Sequence, residues 1–194
     1  MKVPGISFGP RFLKEALAGQ DLGSAARFSD RKIAAVLAVF LATEQGAALL
    51  FTKRSPALGQ HAGQISFPGG ALEIQDADLQ SAALREAGEE VGLGADELEI
   101  LAPLPLQPVL EHWLIHPFAA WWARPRPLAP SPDEVEKIII SPLGELLSQH
   151  RRDCWQIPDP SHSCRYTISG ELLWGATARI TGRLLDRLLS RGLL

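Results

Sequence analysis

Three glutamates, Glu86, Glu89 and Glu90, lie three and four residues apart in the segment Gly69–Leu93, whose pattern predicts one helix. Because an α-helix has about 3.6 residues per turn, their carboxylates fall within an arc of roughly 100° on one side. Like charges held this close raise each other's pKa, and the arrangement is costly unless a divalent cation neutralises it. Mg²⁺ and Mn²⁺ prefer carboxylate and water oxygens, so the spacing predicts a site for one of these cations that stays open to substrate phosphates.

The helix that carries these glutamates has clear limits in the sequence. Asp76 or Asp78 is expected to be its N-cap. Gly92 is expected to end it, because glycine tolerates the left-handed conformation that closes a helix. Upstream, Gly69 and Gly70 either let the backbone approach a substrate closely or form a plain turn.

Apolar runs broken by turn residues predict the strands around this helix. We expect a hairpin from residues 32–43 and 47–54, then a loop rich in Gly and Pro with a short strand at residues 64–67. The apolar runs LEILAPLPLQPVL and WLIHPFAAWWA predict two or three further strands, and EVEKIIISPL predicts another. The chain therefore reads as an α/β protein.

Helical patterns occur near both ends of the chain, and the first is a short one from Phe12 to Leu17. LGELLSQ predicts a short helix, and the apolar repeat from Trp174 to Leu189 predicts an amphipathic helix that lies across the sheet. We expect a single domain at residues 32–194, with residues 1–31 as an N-terminal lead-in that packs on it or frays. The tail LLDRLLSRGLL is interpreted first as a packing helix and second as a homodimer surface.

Composition excludes several classes of protein. The chain is 46% hydrophobic and 21% charged, and no segment approaches the roughly 18 apolar residues of a membrane span. The N-terminus lacks the apolar region of a secretory signal, and Cys154 and Cys164 lack metal-ligand spacing, so a cytoplasmic protein is expected. A net charge of −3 disfavours nucleic acid polymers and membranes as partners, while 14 arginines among 19 basic residues suit discrete phosphate contacts.

The string REAGEEVGL at residues 85–93, with Gly69 and Gly70 upstream, resembles the Nudix box of the Nudix hydrolases. The second half of that pattern is complete. Between Gly70 and Arg85 there is one residue more than the pattern has, and Asp76 and Asp78 are the acids nearest to its isolated glutamate. The resemblance implies a Nudix-type α/β/α sandwich, with a mixed β-sheet between the catalytic helix and a C-terminal helix. It also implies a diphosphatase that depends on Mg²⁺ or Mn²⁺.

The string LFTKRSPALGQHAGQISFPGG at residues 50–70 is similar to the signature of the coenzyme A diphosphatase, or coenzyme A pyrophosphatase, branch of that family. Gly59 departs from it, since the signature usually has a basic residue or glutamine there. EHWLIHPF also lacks the threonine-glycine pair of many relatives. The resemblance extends over roughly residues 32–185 and implies hydrolysis of coenzyme A or its thioesters to adenosine 3′,5′-bisphosphate and a 4′-phosphopantetheine product.

The acids of the site have distinct expected roles. Glu86 and Glu90, one turn apart, are the first choice as direct metal ligands, and Glu89 shares a metal or orients a water. Proton removal from the attacking water needs a carboxylate within reach, and Glu89 and Glu134 are both candidates for this base. Glu134 lies where related enzymes often supply an acidic residue, although an exposed loop acid is an equal alternative.

Basic residues flank the glycine-rich loop. Lys53 and Arg54 end a predicted strand, and Arg54 is suited to bidentate contact with a phosphate; the alternative is a pair of strand-edge charges facing water. Arg85 is expected to hold the helix to the adjoining loop. Four tryptophans are expected in the core rather than stacked on adenine: Trp113, Trp121, Trp122 and Trp174.

Two rivals to a coenzyme A diphosphatase remain open. One is a Nudix hydrolase acting on another diphosphate, such as ADP-ribose, a reduced nicotinamide dinucleotide or a nucleoside triphosphate. The other is a Nudix-shaped ligand sensor or scaffold that has lost catalysis. Such domains usually lose glutamates of the box, and this chain keeps all three.

Overall fold

A computed structural model describes residues 9–28, 30–59, 61–109, 112–153 and 164–192. The helices within these ranges are α1 (Pro10–Leu17), α2 (Leu79–Val91), α3 (Leu143–Asp153) and α4 (Gly175–Ser190), with 3₁₀ turns at Ala25–Phe28 and Ala95–Glu97. The strands are β1 (Lys32–Thr43), β2 (Gly46–Arg54), β3 (Ile65–Ser66), β4 (Gly69–Ala71), β5 (Leu98–Pro103), β6 (Gln107–Val109), β7 (Trp113–Trp122), β8 (Val135–Pro142), β9 (Tyr166–Ile168) and β10 (Glu171–Leu173).

Strand β1 is the centre of an eight-stranded mixed sheet. It pairs antiparallel with β2, with Val39 opposite Leu50, and antiparallel with β4. It pairs parallel with β7, with Ala35 opposite His116. Strands β3 and β8 extend the sheet beyond β2, and β5 and β6 pair with β7, while β9 and β10 form a separate hairpin. The predicted hairpin of β1 and β2 and the short strand β3 are confirmed.

Successive side chains of β1 point to opposite faces of the sheet, so the core has two layers. Leu37, Val39 and Leu41 pack with α2 on one side of the sheet. Ala38 and Phe40 pack with α1, α3 and α4 on the other. We call these sides the α2 face and the α4 face. The expected α/β/α sandwich is confirmed.

Both ends of the described chain contribute to the core of the α4 face. Leu13 and Leu17 of α1 are buried there, so this part of the lead-in packs on the sheet. Leu184, Leu185 and Leu188 of α4 are buried against the same core, so the apolar side of that helix is used within the molecule. The domain boundary and the homodimer surface stay predictions. Among the described residues, no helix is long and apolar enough to span a bilayer.

The tryptophans divide into buried and exposed. Trp121 and Trp122 are buried in the core as expected. Trp113 is half-buried, and the Lys32 ammonium lies 5.6 Å from its ring centroid. Trp174 is 49% exposed, so its assignment to the core is wrong. The reason is that α4 begins one residue later, which leaves Trp174 outside the helical repeat. Cys154 lies outside the described residues.

Candidate active site

Helix α2 is fixed at both ends by residues expected from the sequence. The Asp78 carboxylate accepts a hydrogen bond from the Ser81 backbone N–H at 2.7 Å, so Asp78 rather than Asp76 is the N-cap. Gly92 closes the helix in the left-handed conformation, with a φ of 72°. The helical residues that face the sheet include three small ones, Ala82, Ala83 and Ala87. The expected limits of the helix are confirmed.

Gly69 and Gly70 permit the closest approaches in the site. Gly69 has a φ of 149°, and a Cβ atom there would lie 2.3 Å from the Ala35 carbonyl oxygen. A Cβ atom on Gly70 would lie 2.4 Å from Glu86 Oε1. Both distances are shorter than van der Waals contact, so a side chain at position 70 would displace the Glu86 carboxylate.

Glu90 is the buried acid of the site. Its side chain is 2% exposed, and its Oε2 atom has no hydrogen-bond partner in the described part of the chain. Burial raises the pKa of Glu90 to about 7; Glu86 and Glu134 act in the same direction, whereas Arg54 and the Gly69 backbone amide oppose them. A buried carboxylate with an unpaired oxygen is costly, and a bound cation would relieve it.

The other two glutamates of α2 differ in depth. Glu86 is half-buried, and burial raises its pKa against the opposing effect of Arg85. The Glu89 side chain is 55% exposed and accepts a hydrogen bond from Arg85 Nη1 at 2.8 Å. Across the residues that the structure describes, no three His, Cys, Asp or Glu side chains are grouped closely enough to hold a metal ion. The charge of Glu86 raises the pKa of Glu90, so these two carboxylates are within electrostatic reach of each other, while Glu89 lies at the rim.

Arg85 ties α2 to the loop before it. Its Nε and Nη2 atoms donate to the two carboxylate oxygens of Asp76, at 3.0 and 3.1 Å, and Nη2 also donates to the Ala71 carbonyl at 3.2 Å. This guanidinium holds the pKa of Asp76 below its usual range. Nη1 donates to Glu86 at 3.1 Å, so Arg85 also orients that carboxylate. Of the two acids nearest in sequence to the isolated glutamate of the resembled pattern, Asp76 is the one that pairs with Arg85.

Lys53 and Arg54 are neighbours on β2, and their side chains lie on opposite faces of the sheet. Arg54 lies on the α2 face, where its Nη1 atom is 3.8 Å from Glu90 Oε1. Lys53 lies on the α4 face, where Nζ donates to Glu136 at 3.0 Å and to Glu171 at 2.9 Å. The structure brings only Arg54 to the glutamates, because successive strand residues point to opposite faces. Lys53, predicted to bind substrate, is thus placed away from the site.

The loop between β7 and β8 carries Glu134 to the site. The Ser131 N–H donates to the Glu90 backbone carbonyl at 2.9 Å, and the Glu134 carbonyl accepts from the Ser55 N–H at 2.8 Å. The Glu134 side chain is exposed, and its charge raises the pKa of both Glu86 and Glu90. The loop thus brings a fourth acid within electrostatic reach of half-buried Glu86 and buried Glu90.

One contact that holds this loop was missed by the sequence reasoning. Arg126 Nε and Nη2 donate to the two carboxylate oxygens of Glu97, at 2.9 and 2.6 Å, and Nη2 also donates to the Gly92 carbonyl at 2.7 Å. This pins the loop to the end of α2. The two partners are 29 residues apart, and nothing in the sequence marks them as a pair.

His116 was also missed. His116 of β7 and Gly70 of β4 both lie opposite Ala35 of β1. Ala35 faces α2, so the His116 side chain lies on the α2 face. Its Nε2 atom is buried without a partner among the described residues, and burial lowers its pKa. A polar residue at an inward position of an otherwise apolar strand was the signal available for it.

A family profile and a curated relative match most of the chain. The profile of the NUDIX domain matches residues 31–159. Nudix hydrolase NudL of Cronobacter sakazakii is 34% identical over 164 residues, which are 83% of this chain and 84% of that protein. The profile match includes the whole of β1 to β8, and therefore Asp76, Glu86, Glu89, Glu90 and Glu134.

Two solved structures share the fold. The Nudix hydrolase RenU of M. smegmatis has a TM-score of 0.58 at 21% identity, over 82% of this chain and 87% of that chain. The NUDIX domain of Shewanella oneidensis NrtR, solved in complex with ADP ribose, has a TM-score of 0.50 at 18% identity, over 69% of this chain and 85% of that chain. At these identities the similarity concerns architecture alone.

Proposed function

The chain belongs to the Nudix hydrolase family, whose members hydrolyse pyrophosphate bonds, and we propose that this enzyme cleaves the diphosphate of coenzyme A or of its thioesters. The products are adenosine 3′,5′-bisphosphate and 4′-phosphopantetheine or its acylated form. The segment at residues 50–70 carries this proposal, since it resembles the coenzyme A branch and leads from β2 through β3 to β4. Arg54 and Gly70, near its two ends, flank the buried acids of α2.

Glu86 and Glu90 would hold the Mg²⁺ or Mn²⁺ of this reaction. Nudix hydrolases generally need divalent metal ions. Three observations support the fit: the unpaired Oε2 of Glu90, the raised pKa of both acids, and the glycine that leaves room for Glu86. When bound, the cation lowers the pKa of the attacking water and neutralises charge on the diphosphate.

For the general base we propose Glu134. The acid must take a proton from water beside the buried pair, and the charge of Glu134 acts on both Glu86 and Glu90. Glu89, the other candidate, is exposed and hydrogen-bonded to Arg85. We assign Glu89 a supporting role at the rim, where it orients water or shares a metal.

For the substrate phosphates we propose Arg54 as the main contact. Its side chain lies on the α2 face and is 28% exposed, and the guanidinium has a geometry that matches phosphate oxygens. Gly69 and Gly70 let the β4 backbone approach the same place. Lys53 is engaged by Glu136 and Glu171 on the α4 face, and we give it no part in binding.

Another diphosphate is the second candidate substrate. The NrtR domain of the same fold was solved with ADP ribose, and nothing in the carboxylate arrangement selects one nucleoside diphosphate derivative over another. A sensor without catalysis is a weaker candidate, because Glu86, Glu89 and Glu90 are all present in α2.

Chromatographic analysis of the products tests the substrate. The enzyme is incubated with Mn²⁺ and, separately, coenzyme A, acetyl coenzyme A, ADP-ribose, NADH and a nucleoside triphosphate. We expect the fastest turnover with coenzyme A or its thioester, with adenosine 3′,5′-bisphosphate as a product. Equal or faster turnover of ADP-ribose would remove the coenzyme A assignment and leave the hydrolase assignment intact.

A further inference from the structure

Arg54 and Glu90 form an incomplete pair. The distance from Nη1 to Oε1 is 3.8 Å, which is too long for a hydrogen bond, so only charge attraction joins the two groups. Arg54 Nε and Glu90 Oε2 are both buried, and neither has a partner within the described ranges. Each group would therefore gain from a different partner: an oxyanion for Arg54 and a cation for Glu90.

The main chain of Arg54 is fixed, whereas its side chain makes no hydrogen bond to a described residue. The Arg54 N–H donates to the Gln64 carbonyl at 2.9 Å, and the Gly63 N–H donates to the Arg54 carbonyl at 3.1 Å. The glycine-rich loop thus holds the base of the side chain at the end of β2. The guanidinium needs only side-chain rotation to leave Glu90.

We propose that Arg54 and a divalent cation are alternative partners of Glu90, and that a bound diphosphate completes the exchange. The cation takes the Glu90 carboxylate while the Arg54 guanidinium turns to a diphosphate oxygen. Both buried atoms that lack partners then acquire them. This inference rests on the proposed function, since it requires a diphosphate beside Glu90.

The exchange makes Arg54 act in opposite directions in two states of the enzyme. Without diphosphate, the positive charge of Arg54 disfavours binding of a divalent cation at Glu90. With diphosphate bound, the guanidinium moves from Glu90 to a phosphate oxygen, and its repulsion of the divalent cation decreases. The affinities for cation and diphosphate are therefore linked, and each ligand strengthens binding of the other. Arg54 is in this sense a positioning residue for the cation as well as a contact for the substrate.

Mn²⁺ binding, followed by electron paramagnetic resonance of the free ion, tests the exchange on the full chain. Wild type and Arg54→Met are compared with Mn²⁺ alone, at the same pH and ionic strength. Arg54→Met is expected to bind Mn²⁺ about five- to tenfold more tightly than wild type. In the presence of Mn²⁺ it is expected to bind α,β-methylene ADP at least about tenfold more weakly.

Lys53→Met is the matched control, because it removes the same charge one residue away on the α4 face. Its Mn²⁺ affinity is expected to stay within about twofold of wild type. Arg54→Lys keeps the charge and is expected to bind Mn²⁺ like wild type. Arg54→Gln, which also removes the charge, replaces Arg54→Met if that variant does not fold.

The outcomes separate this inference from the proposed function. Mn²⁺ binding by Arg54→Met that equals or falls below that of wild type overturns the exchange, as does an equal gain in Lys53→Met. A wild type that binds no Mn²⁺ overturns the proposed function and the exchange together. The expected opposite changes, combined with failure to cleave coenzyme A, support the exchange and remove only the substrate assignment.

Discussion

The charged side chains of two adjacent residues of β2, Lys53 and Arg54, are paired differently on the two faces of the sheet. On the α4 face, the Lys53 ammonium is hydrogen-bonded to two carboxylates, at 2.9 and 3.0 Å. On the α2 face, Arg54 and Glu90 stand 3.8 Å apart, and each keeps a buried atom without a partner in the described chain. The first arrangement is complete in itself. The second requires a ligand for completion.

One further polar side chain of the α4 face, that of His150, is also fully paired. Buried His150 joins α3 to the core by a 2.9 Å hydrogen bond with the Tyr166 hydroxyl and a 2.8 Å contact between Nε2 and Asp186. Both ring nitrogens of His150 therefore have a partner. Polar groups that stabilise a fold are paired within it, whereas incompletely paired charges in a place of low solvent access mark a functional site.

Glu90→Gln removes the central charge of the α2 face and should have the largest effect. We expect kcat to fall by at least about a hundredfold on the diphosphate that wild type cleaves best, because a metal contact that matters in the transition state is lost. Steady-state kinetics with Mn²⁺ measure it. Glu136→Gln, which removes a carboxylate on the α4 face, should stay within about twofold. Near-normal turnover by a folded Glu90→Gln protein would refute the assignment.

Glu134→Gln distinguishes the two candidates for the general base on the α2 face, Glu134 and Glu89. If Glu134 is the general base, kcat falls about a hundredfold while Mn²⁺ affinity stays near that of wild type. Glu89→Gln is the companion variant, and it should lose less activity because its carboxylate lies at the rim and pairs with Arg85. A larger loss in Glu89→Gln than in Glu134→Gln would transfer the role of base to Glu89.

The main features of the fold could be predicted from the sequence. Strand and helix periodicities predicted the hairpin of β1 and β2. Capping chemistry predicted that α2 ends at Gly92 and begins after Asp76 or Asp78, and the structure has Asp78. These signals are local, because they depend on which neighbours along the chain share a face or complete a helix end. The repeat in the C-terminal segment failed only at its first residue, Trp174, which precedes α4.

The depth of each acid could not be predicted in the same way. Helical spacing puts Glu86, Glu89 and Glu90 on related sides of α2, but the sheet behind the helix decides that Glu90 is buried and Glu89 exposed. The sequence left open whether Asp76 or Asp78 corresponds to the isolated glutamate of the box, because the loop has an additional residue. The folded loop brings Asp76 to the Arg85 guanidinium. Such contacts depend on three-dimensional packing, which spacing along the chain does not encode.

The pH dependence of stability without metal tests whether the burial of Glu90 is costly. Its pKa is raised from 4.5 to about 7, so the folded state binds more protons than the unfolded state between these values. The contribution of Glu90 to the free energy of unfolding is fully present below pH 4.5 and is lost as the pH rises through 7.

With a chelator present, we expect the free energy of unfolding of wild type to fall by roughly 3 kcal/mol relative to Glu90→Gln over that range. Denaturant unfolding at several pH values measures this difference. Parallel curves for the two proteins would show that Glu90 titrates like a solvated acid.

Lys53→Met should have the smallest effect on catalysis. It leaves Glu136 and Glu171 without their cation on the α4 face, so the midpoint of thermal unfolding should decrease. The value of kcat/KM should stay within about twofold of wild type, because the side chain lies on the other side of the sheet from Glu90. A loss of activity at unchanged stability would return Lys53 to the substrate site.

Anomalous diffraction from a wild-type crystal soaked in MnCl₂ is the most direct measurement of cation binding at α2. We predict a manganese peak at coordination distance from the Glu86 and Glu90 carboxylates, and no such peak in Glu90→Gln. The absence of manganese at this pair, under conditions in which the enzyme hydrolyses its diphosphate, would contradict a cation site on α2.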